Sequence, residues 1–543
     1  MSAVLTSSSV LTDIVQTAQG RSFSKYAPLA HFSAAPFRNE IYNNPYREGS
    51  NKNGVALSAN EFAMINAGQY RPWINDPCRA IWDADNKLWR AFVLTNNNPE
   101  DDQQTWVEVV SPDLENWVAN RIPFYLGSLD QPVLWGGSFI VDEKNTSGYG
   151  AGSVHYLVSI PGGGGYSQQS VARFIAPKLG LSPLYDGVVL GNPGVGNIVH
   201  APGMDFRDPR VDWDDAAGHW LMKITVGYGI AFYSSPDLKT WSFLSIIDLS
   251  AWQQIETPDL VPMTAPDGSR KWVLFFSLKT WDGQPYSTVG YLVGNWDGTT
   301  FTPDFSTPKL LNWGSDYYAQ AIWQHGGTTY CWAWMGNWNY SQMLPTQGFA
   351  GNQSVVTKLG LRKDTDGKLA LHISLLETQR RHYPEFTQYW QINLSTSGTS
   401  SWSPDVANPG ISWRADFSLL RPSPTAWADV TFEFCSDGTN YTRLIIQPSA
   451  GTITLQRSQS GAGPLQTNAP TAHALWQKDR VAPLPAQLEY KVTVIFDGSV
   501  VEVLINERTY LSSLIFPPET AFGMSLSASG TGGAIIRSFK LSC

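Results

Sequence analysis

The feature that most restricts this chain is a repeat. "DPCRAIWDADNKLWRAFVL" from Asp76 and "DPRVDWDDAAGHWLMKITV" from Asp208 share one layout: Asp-Pro, a short strand, an Asp-rich turn, then Trp89 or Trp220 opening a second apolar strand. A looser copy begins at Thr257 and carries Trp272 at the matching place. Segments from Gln131 and Tyr318 keep the strand–turn–aromatic strand layout without the Asp-Pro. A second echo, "SPDLENW" (111–117) and "SPDLKTW" (235–241), falls near the end of its unit each time. Five such units, dense in Gly, Pro and aromatic residues and lacking helical periodicity, predict a five-bladed β-propeller.

In a propeller the innermost strand of each blade lines the central channel, so equivalent positions in different blades converge on one axis. Asp before Pro is ordinary turn chemistry when met once. Met at the head of two innermost strands, Asp76 and Asp208 are expected to face one cavity at corresponding positions. Glu256 is expected to join them if a bulge absorbs its one-residue offset from Thr257-Pro258. Three converging carboxylates suit glycoside hydrolysis. One carboxylate attacks, a second holds a proton for the leaving oxygen, and a third, beside Arg207, grips hydroxyls in the transition state.

From about residue 384 the pattern changes. A Ser/Thr/Pro/Gly-rich stretch leads into short alternating strands such as "DVTFEFCS", "YKVTVIF" and "VVEVLIN", separated by turn signals. They predict a β-sandwich with no titratable cluster, read as structural or as a carbohydrate-contacting platform. The chain is therefore expected to be all-β: an N-terminal extension (1–35), a five-bladed β-propeller catalytic domain (36–383) and a C-terminal β-sandwich (384–543).

A formal net charge of −9 in a chain only 15% charged argues against nucleic acid or an anionic membrane as partner. No stretch approaches the ~20 apolar residues of a membrane span. The four cysteines and eight histidines are scattered without zinc-like spacing, so no metal site is expected. "PGGGGY" (161–166) lacks a following Lys-Ser/Thr and reads as a loop, not a phosphate cradle. The N-terminus lacks a basic run ahead of an apolar one, and the expectation is a cytoplasmic protein unless the chain is processed.

"WINDP" (73–77), "WGGS" (135–138), "FRDP" (206–209), "ETPDL" (256–260), "SDYYAQ" (315–320) and "FDGSVVEVLIN" (496–506) occur in the order of the signature motifs of glycoside hydrolase family 32. The sequence resembles that family of invertases, fructan hydrolases and fructosyltransferases from about residue 66 onward. The resemblance implies a propeller followed by a sandwich. It also implies Asp76 as nucleophile, Glu256 as general acid/base and Asp208 as transition-state stabiliser. Asn75, Trp135, Ser138 and Arg207 match positions lining the subsite for the fructosyl ring. Sucrose and fructo-oligosaccharides are the implied substrates, with no cofactor.

Four positions depart from the family pattern: Cys78 and Arg79 follow the nucleophile segment, Thr257 stands for a Cys, and Glu108 for a His. They are expected to surround the subsites beyond the fructosyl ring and so to tilt the chemistry toward fructosyl transfer. The leading expectation is a retaining β-fructofuranosidase with some transfer to sucrose. A fructan exohydrolase is the alternative; an inverting arabinan-type propeller and a non-catalytic carbohydrate-binding propeller are weaker ones.

Overall fold

The computed structural model describes residues 26–28, 30–34 and 73–543, except 97–103, 122, 125–132, 163–164, 194–204, 282–283, 347–348, 378–382, 384–385, 395–399, 407, 421–426, 466–469 and 531. Most of the expected N-terminal extension lies outside the described residues, as does part of the 161–166 loop.

Five antiparallel sheets form the propeller. Their innermost strands are Trp73–Pro77, Gly137–Asp142, Phe206–Asp214, Ile255–Thr264 and Tyr318–His325, in blades I to V. The repeat seen in the sequence has a physical basis. Asp83 Oδ1 accepts the Asn86 N–H (3.1 Å), and Asp214 Oδ1 accepts those of Ala216 and Ala217 (3.0 and 3.2 Å). These are the side-chain-closed turns that Asp makes between strands. The paired Trp rings then meet edge to face, Trp82 on Trp89 and Trp213 on Trp220. The "SPDL" echo is likewise one turn used twice. Asp113 and Asp237 each accept two following N–H groups, and Leu114 and Leu238 both adopt φ above 60°.

The second domain is two six-stranded antiparallel sheets. Asp429–Ser436 and Thr442–Gln447 alternate buried and half-buried side chains as a strand with one covered face should. Trp413, Phe417, Phe432, Phe434, Phe496 and Phe539 fill the space between the sheets. Among the described residues the one α-helix is Pro470–Trp476. Its Trp476 packs with Tyr510, Leu514 and Phe516 of the sandwich against Tyr317, Tyr340 and Met335 of the propeller, so the two domains share one apolar core.

The expectation that nothing titratable clusters in the second domain is not met. The segment at residues 30–34 threads between the domains. Asn352 pairs with Ser33, and Gln353 donates its N–H to the Phe32 carbonyl on the propeller side. On the sandwich side, Asp497 Oδ2 accepts the N–H groups of Ala30 and His31 and the His31 Nδ1–H (2.7, 2.7 and 2.8 Å). His31 Nε2 lies 3.8 Å from Glu502, and all three side chains are buried. Burial alone lowers the His31 pKa, but the bonds to Asp497 and Glu502 outweigh it and push it up to about 9. A histidine that gains proton affinity on folding stabilises the fold fully below its unfolded value. That contribution is lost as pH rises through the folded value. The stability difference between wild type and His31→Gln should therefore shrink by about 3 kcal/mol between roughly pH 6 and 9. Chemical denaturation across that range measures it, and a difference that does not change with pH refutes the charged clamp.

Candidate active site

The innermost strands of blades I, III, IV and V carry a bulge at the same place. Between Ile74 and Pro77, Arg207 and Arg210, Glu256 and Asp259, and Tyr318 and Ala321, two residues face one on the neighbouring strand. The first bulged residue is left-handed in three of them: Asp208 at φ 61°, Thr257 at 52° and Ala319 at 53°. Non-glycine residues hold that conformation only where their surroundings impose it, and such strain collects at functional sites.

The register corrects the expectation that the three carboxylates sit at corresponding positions. Glu256 is the residue before its bulge, Asp208 the first residue within, and Asp76 the second. Asp76 thus corresponds to Pro209, and the two Asp-Pro pairs are offset by one residue. Pro209 does not start its strand. It lies inside the bulge, where a residue without an N–H interrupts no ladder bond.

Glu256 is the most heavily bonded of the three. Arg207 donates from Nε and Nη2 to Oε1 (3.1 and 2.6 Å), the Tyr318 hydroxyl donates to Oε2, and Lys279 Nζ lies 3.2 Å from Oε2. The far side of Arg207 is held by Asp205, which also accepts from Gln254 (3.0 Å). Asp208 is caged by backbone: its N–H donates to Ser159 Oγ (2.8 Å), and its Oδ2 accepts the Thr257 N–H (3.0 Å). Asp76 Oδ1 accepts from Asn75 Nδ2 (3.2 Å). Underneath, Arg210 donates to the carbonyls of Gly137 (2.7 Å) and Pro77 (3.2 Å).

This crowding separates the proton affinities. Burial, reinforced by the charges of Asp208 and Glu256, pushes Asp76 up to about 8 against Arg210 and Lys279. Burial raises Asp208 to about 6 although Arg207 pulls it down. Burial also works to raise Glu256, but Lys279, Arg207 and the Tyr318 hydroxyl overcome it and hold Glu256 down at about 2. Two carboxyl groups with divergent proton affinities beside a third are the equipment of acid–base and nucleophilic chemistry on one substrate. Two buried polar atoms beside them, Asn75 Oδ1 and Trp334 Nε1, have no hydrogen-bond partner among the described residues. Trp73, Trp334 and the partly exposed Trp338 form an aromatic wall, with centroids 4.7–6.1 Å apart. Orphan polar atoms beside aromatic faces suit a polyhydroxylated ring.

The predicted residues divide. Arg207 bonds Glu256, Asp208 holds the N–H of the residue after Glu256, and Asp76, bonded to Asn75, lies within reach of the charges of both Asp208 and Glu256. Trp135, half-buried, adjoins the Gly136–Asp208 contact. Ser138 is set apart: it is fully buried between blades II and III, where its hydroxyl accepts the Val211 N–H (3.1 Å). Nor do the four unusual residues ring the outer subsites. Cys78 points its thiol at the Gly137 carbonyl, Arg79 pairs with Asp212 deeper in the channel, and Thr257 bonds Ser277 (2.9 Å). Glu108 is enclosed by Arg90, Asn120 and Arg121 within blade I. All four are buried. Sequence reasoning passed over Tyr318, Lys279 and Arg210. Tyr318 lies inside the quoted "SDYYAQ", whereas a lone Lys in a strand carries no local signal.

Residues 69–372 match the family model described as "Glycosyl hydrolases family 32 N-terminal domain", and residues 376–542 match "Glycosyl hydrolases family 32 C terminal". The chain is 28% identical over 472 residues to the levanbiose-producing levanase of Bacillus subtilis, covering 84% of this chain and 86% of the relative. It is 29% identical over 446 residues to the invertase of Schizosaccharomyces pombe, covering 76% and 73%. The crystal structure of exo-inulinase from Aspergillus awamori superposes with a TM-score of 0.75 at 22% identity, over 95% of this chain and 98% of that one, which shows the common fold.

One glycine is fixed by this geometry. A Cβ at Gly136 would stand 2.2 Å from Asp208 Oδ1, so Gly136→Ala must displace that carboxylate. The variant should keep a melting temperature near wild type and lose about 100-fold in turnover of a β-fructoside, the cost of misplacing a reacting-site group by about 1 Å. Undiminished turnover would mean that the position of Asp208 is immaterial.

Proposed function

This chain belongs to glycosyl hydrolase family 32, and from that premise we propose that it is a retaining β-fructofuranosidase acting on sucrose and short fructo-oligosaccharides. The observation that carries the reading is the arrival of Asp76, Asp208 and Glu256 at the bulged heads of three innermost strands, with Arg207, Lys279 and Tyr318 all on Glu256. Asp76 attacks the anomeric C2 of the fructosyl unit while Glu256 gives its proton to the leaving glycosidic oxygen. Glu256, now ionised, takes a proton from water as that water attacks C2, and the Asp76 ester breaks with net retention. Asp208 accepts hydrogen bonds from fructosyl hydroxyls that strengthen as charge develops on the ring. Arg207 anchors Glu256 against Asp205.

The first step requires one proton shared between Asp76 and Glu256. Burial and the neighbouring carboxylates favour that proton on Asp76, whereas attack needs it on Glu256. Two effects of a bound sugar move it there. Hydroxyls that draw Lys279 away from Glu256 raise its proton affinity, and the electron-poor C2 approaching Asp76 lowers that of Asp76, while the Tyr318 hydroxyl stays on Glu256.

The case for appreciable fructosyl transfer depended on Cys78, Arg79, Thr257 and Glu108 standing around the outer subsites. Their burial removes that premise, and water is the acceptor we assign. A fructan exohydrolase uses the same three carboxylates and differs in what lies beyond the fructosyl ring. Glucose, fructose and trisaccharide measured from low and high sucrose, beside rates on inulin and levan, test the assignment. Equal glucose and fructose throughout, with sucrose preferred, supports it; glucose in excess with trisaccharide accumulating points to transfer, and faster release from inulin or levan to the exohydrolase.

Asp76→Ala should abolish turnover with the fold intact by circular dichroism, and a wild-type rate would sink the proposal. The pH profile is a further test. Loss of the shared proton should end activity on the alkaline side with an apparent pKa of about 8. Lys279 lowers the proton affinity of both Asp76 and Glu256, so Lys279→Met should move that limb to higher pH. A limb that stays in place or moves down contradicts the proton accounting.

A further inference from the structure

We propose that Arg457, a residue of the second domain, positions the acid/base carboxylate of Glu256 through Asp316 and Tyr318. The inference rests on the reading of Glu256 as acid/base and adds a part of the machinery outside the propeller.

Arg457 is fully buried at the seam between the domains. Its Nε donates to the Trp476 carbonyl (2.9 Å), and its Nη1 to Asp316 Oδ2 (2.6 Å), Ser513 Oγ (3.2 Å) and the Leu514 carbonyl (3.1 Å). Its Nη2 donates to the Tyr340 hydroxyl (2.6 Å), and the guanidinium lies over the Trp476 ring, 3.9 Å from its centroid. Asp316 is equally occupied: Oδ1 accepts from the Tyr340 hydroxyl (2.6 Å) and Oδ2 from the Leu514 N–H (2.9 Å). A buried charge pair is poor evidence of stability, because apolar replacements often serve as well. What such a pair does fix is geometry.

The geometry fixed here leads to the site. Residues 312–316 run along the sandwich strand Thr509–Leu514. Trp313 and Ser315 donate to the carbonyls of Tyr510 and Ser512 (2.8 and 2.9 Å), and the Asn312 side chain bonds Ser512 at both N–H and hydroxyl (3.0 and 2.7 Å). The approach is so close that a Cβ on Gly314 would lie 1.8 Å from the Ser512 carbonyl oxygen. Two residues beyond Asp316, the Tyr318 hydroxyl donates to Glu256. Ala319 then takes the left-handed bulge conformation, its N–H held by Ser277 Oγ (2.8 Å). Tyr318 is therefore fixed on one side by the bulge and on the other by a carboxylate that a second-domain arginine holds. A hydroxyl that stabilises the ionised acid/base must be placed to a fraction of an ångström, and the packing around it sets that tolerance.

The test compares Arg457→Met, Tyr340→Phe and Tyr318→Phe. Tyr318→Phe removes a donor from the Glu256 carboxylate, raises its proton affinity and moves the acidic limb of kcat/KM to higher pH. Arg457→Met is expected to move that limb in the same direction and to lower kcat on sucrose by about 10-fold or more, with KM changed far less. Arg457→Met with Tyr318→Phe should be no slower than Tyr318→Phe alone, since both act through one hydrogen bond. Tyr340→Phe keeps both charges and the core packing, and it gives a smaller shift of the same sign if Arg457→Met does not fold. Variants that lose melting temperature while their profile and kcat per folded molecule stay at wild type overturn the proposal. Fully additive losses in the double variant overturn it as well. Glu256→Gln separates this from the function itself. A wild-type rate there defeats the acid/base reading, whereas an inactive Glu256→Gln with unmoved profiles in Arg457→Met and Tyr340→Phe defeats only the positioning role.

Discussion

Three carboxylates set side by side, Asp208 buried and Asp76 and Glu256 half-buried, are tolerable only if cations are set among them. Taking a single unpaired carboxylate out of water costs several kcal/mol, and like charges at about 4 Å add a similar amount. Here the compensating charges arrive from different blades: Arg207 and Arg210 from blade III, Lys279 from blade IV. Arg79 and Lys223 close a second layer around Asp212 deeper in the channel. Among the described residues, blade I has no cation that offsets Asp76; Arg210 and Lys279 of blades III and IV do so. Closure of the propeller and assembly of the site are one event, and the bulged innermost strands are where the backbone bends to allow it.

Much of this was readable in the chain. The Asp-rich turns and their Trp partners mark the blades because each is a local interaction, written within about fifteen residues. The alternation in Asp429–Ser436 declares a sandwich strand for the same reason. The family motifs brought out Asp76, Asp208 and Glu256 as a set. The one-residue offsets among them were only partly legible. An Asp-Pro pair looks the same whether the proline starts a strand or sits in a bulge, and only the neighbouring strand decides. Ser138 and the four unusual residues show the converse error. All but Glu108 lie within three residues of a site residue, yet strand alternation and the bulges turn neighbouring side chains to different faces.

Tyr318 and Arg457 were hidden for a different reason. Tyr318 meets Glu256 from 62 positions away and Arg457 meets Asp316 from 141, and nothing in either neighbourhood records the partner. His31 is the same case: a single histidine in a Ser/Ala-rich stretch becomes a buried cation only because Asp497 and Glu502 arrive from the far end of the chain.

The pairing of residues 312–316 with Thr509–Leu514 bears on heredity. Many two-domain proteins diversify by trading modules, since a linker transmits no geometry from one to the other. Here the sandwich contributes a template strand against which the last propeller segment before the site is laid. A foreign sandwich would have to carry a matching strand, an arginine at its seam and room for Gly314. A sandwich lacking any of these would leave residues 312–316, and Tyr318 after them, without the strand they are laid on.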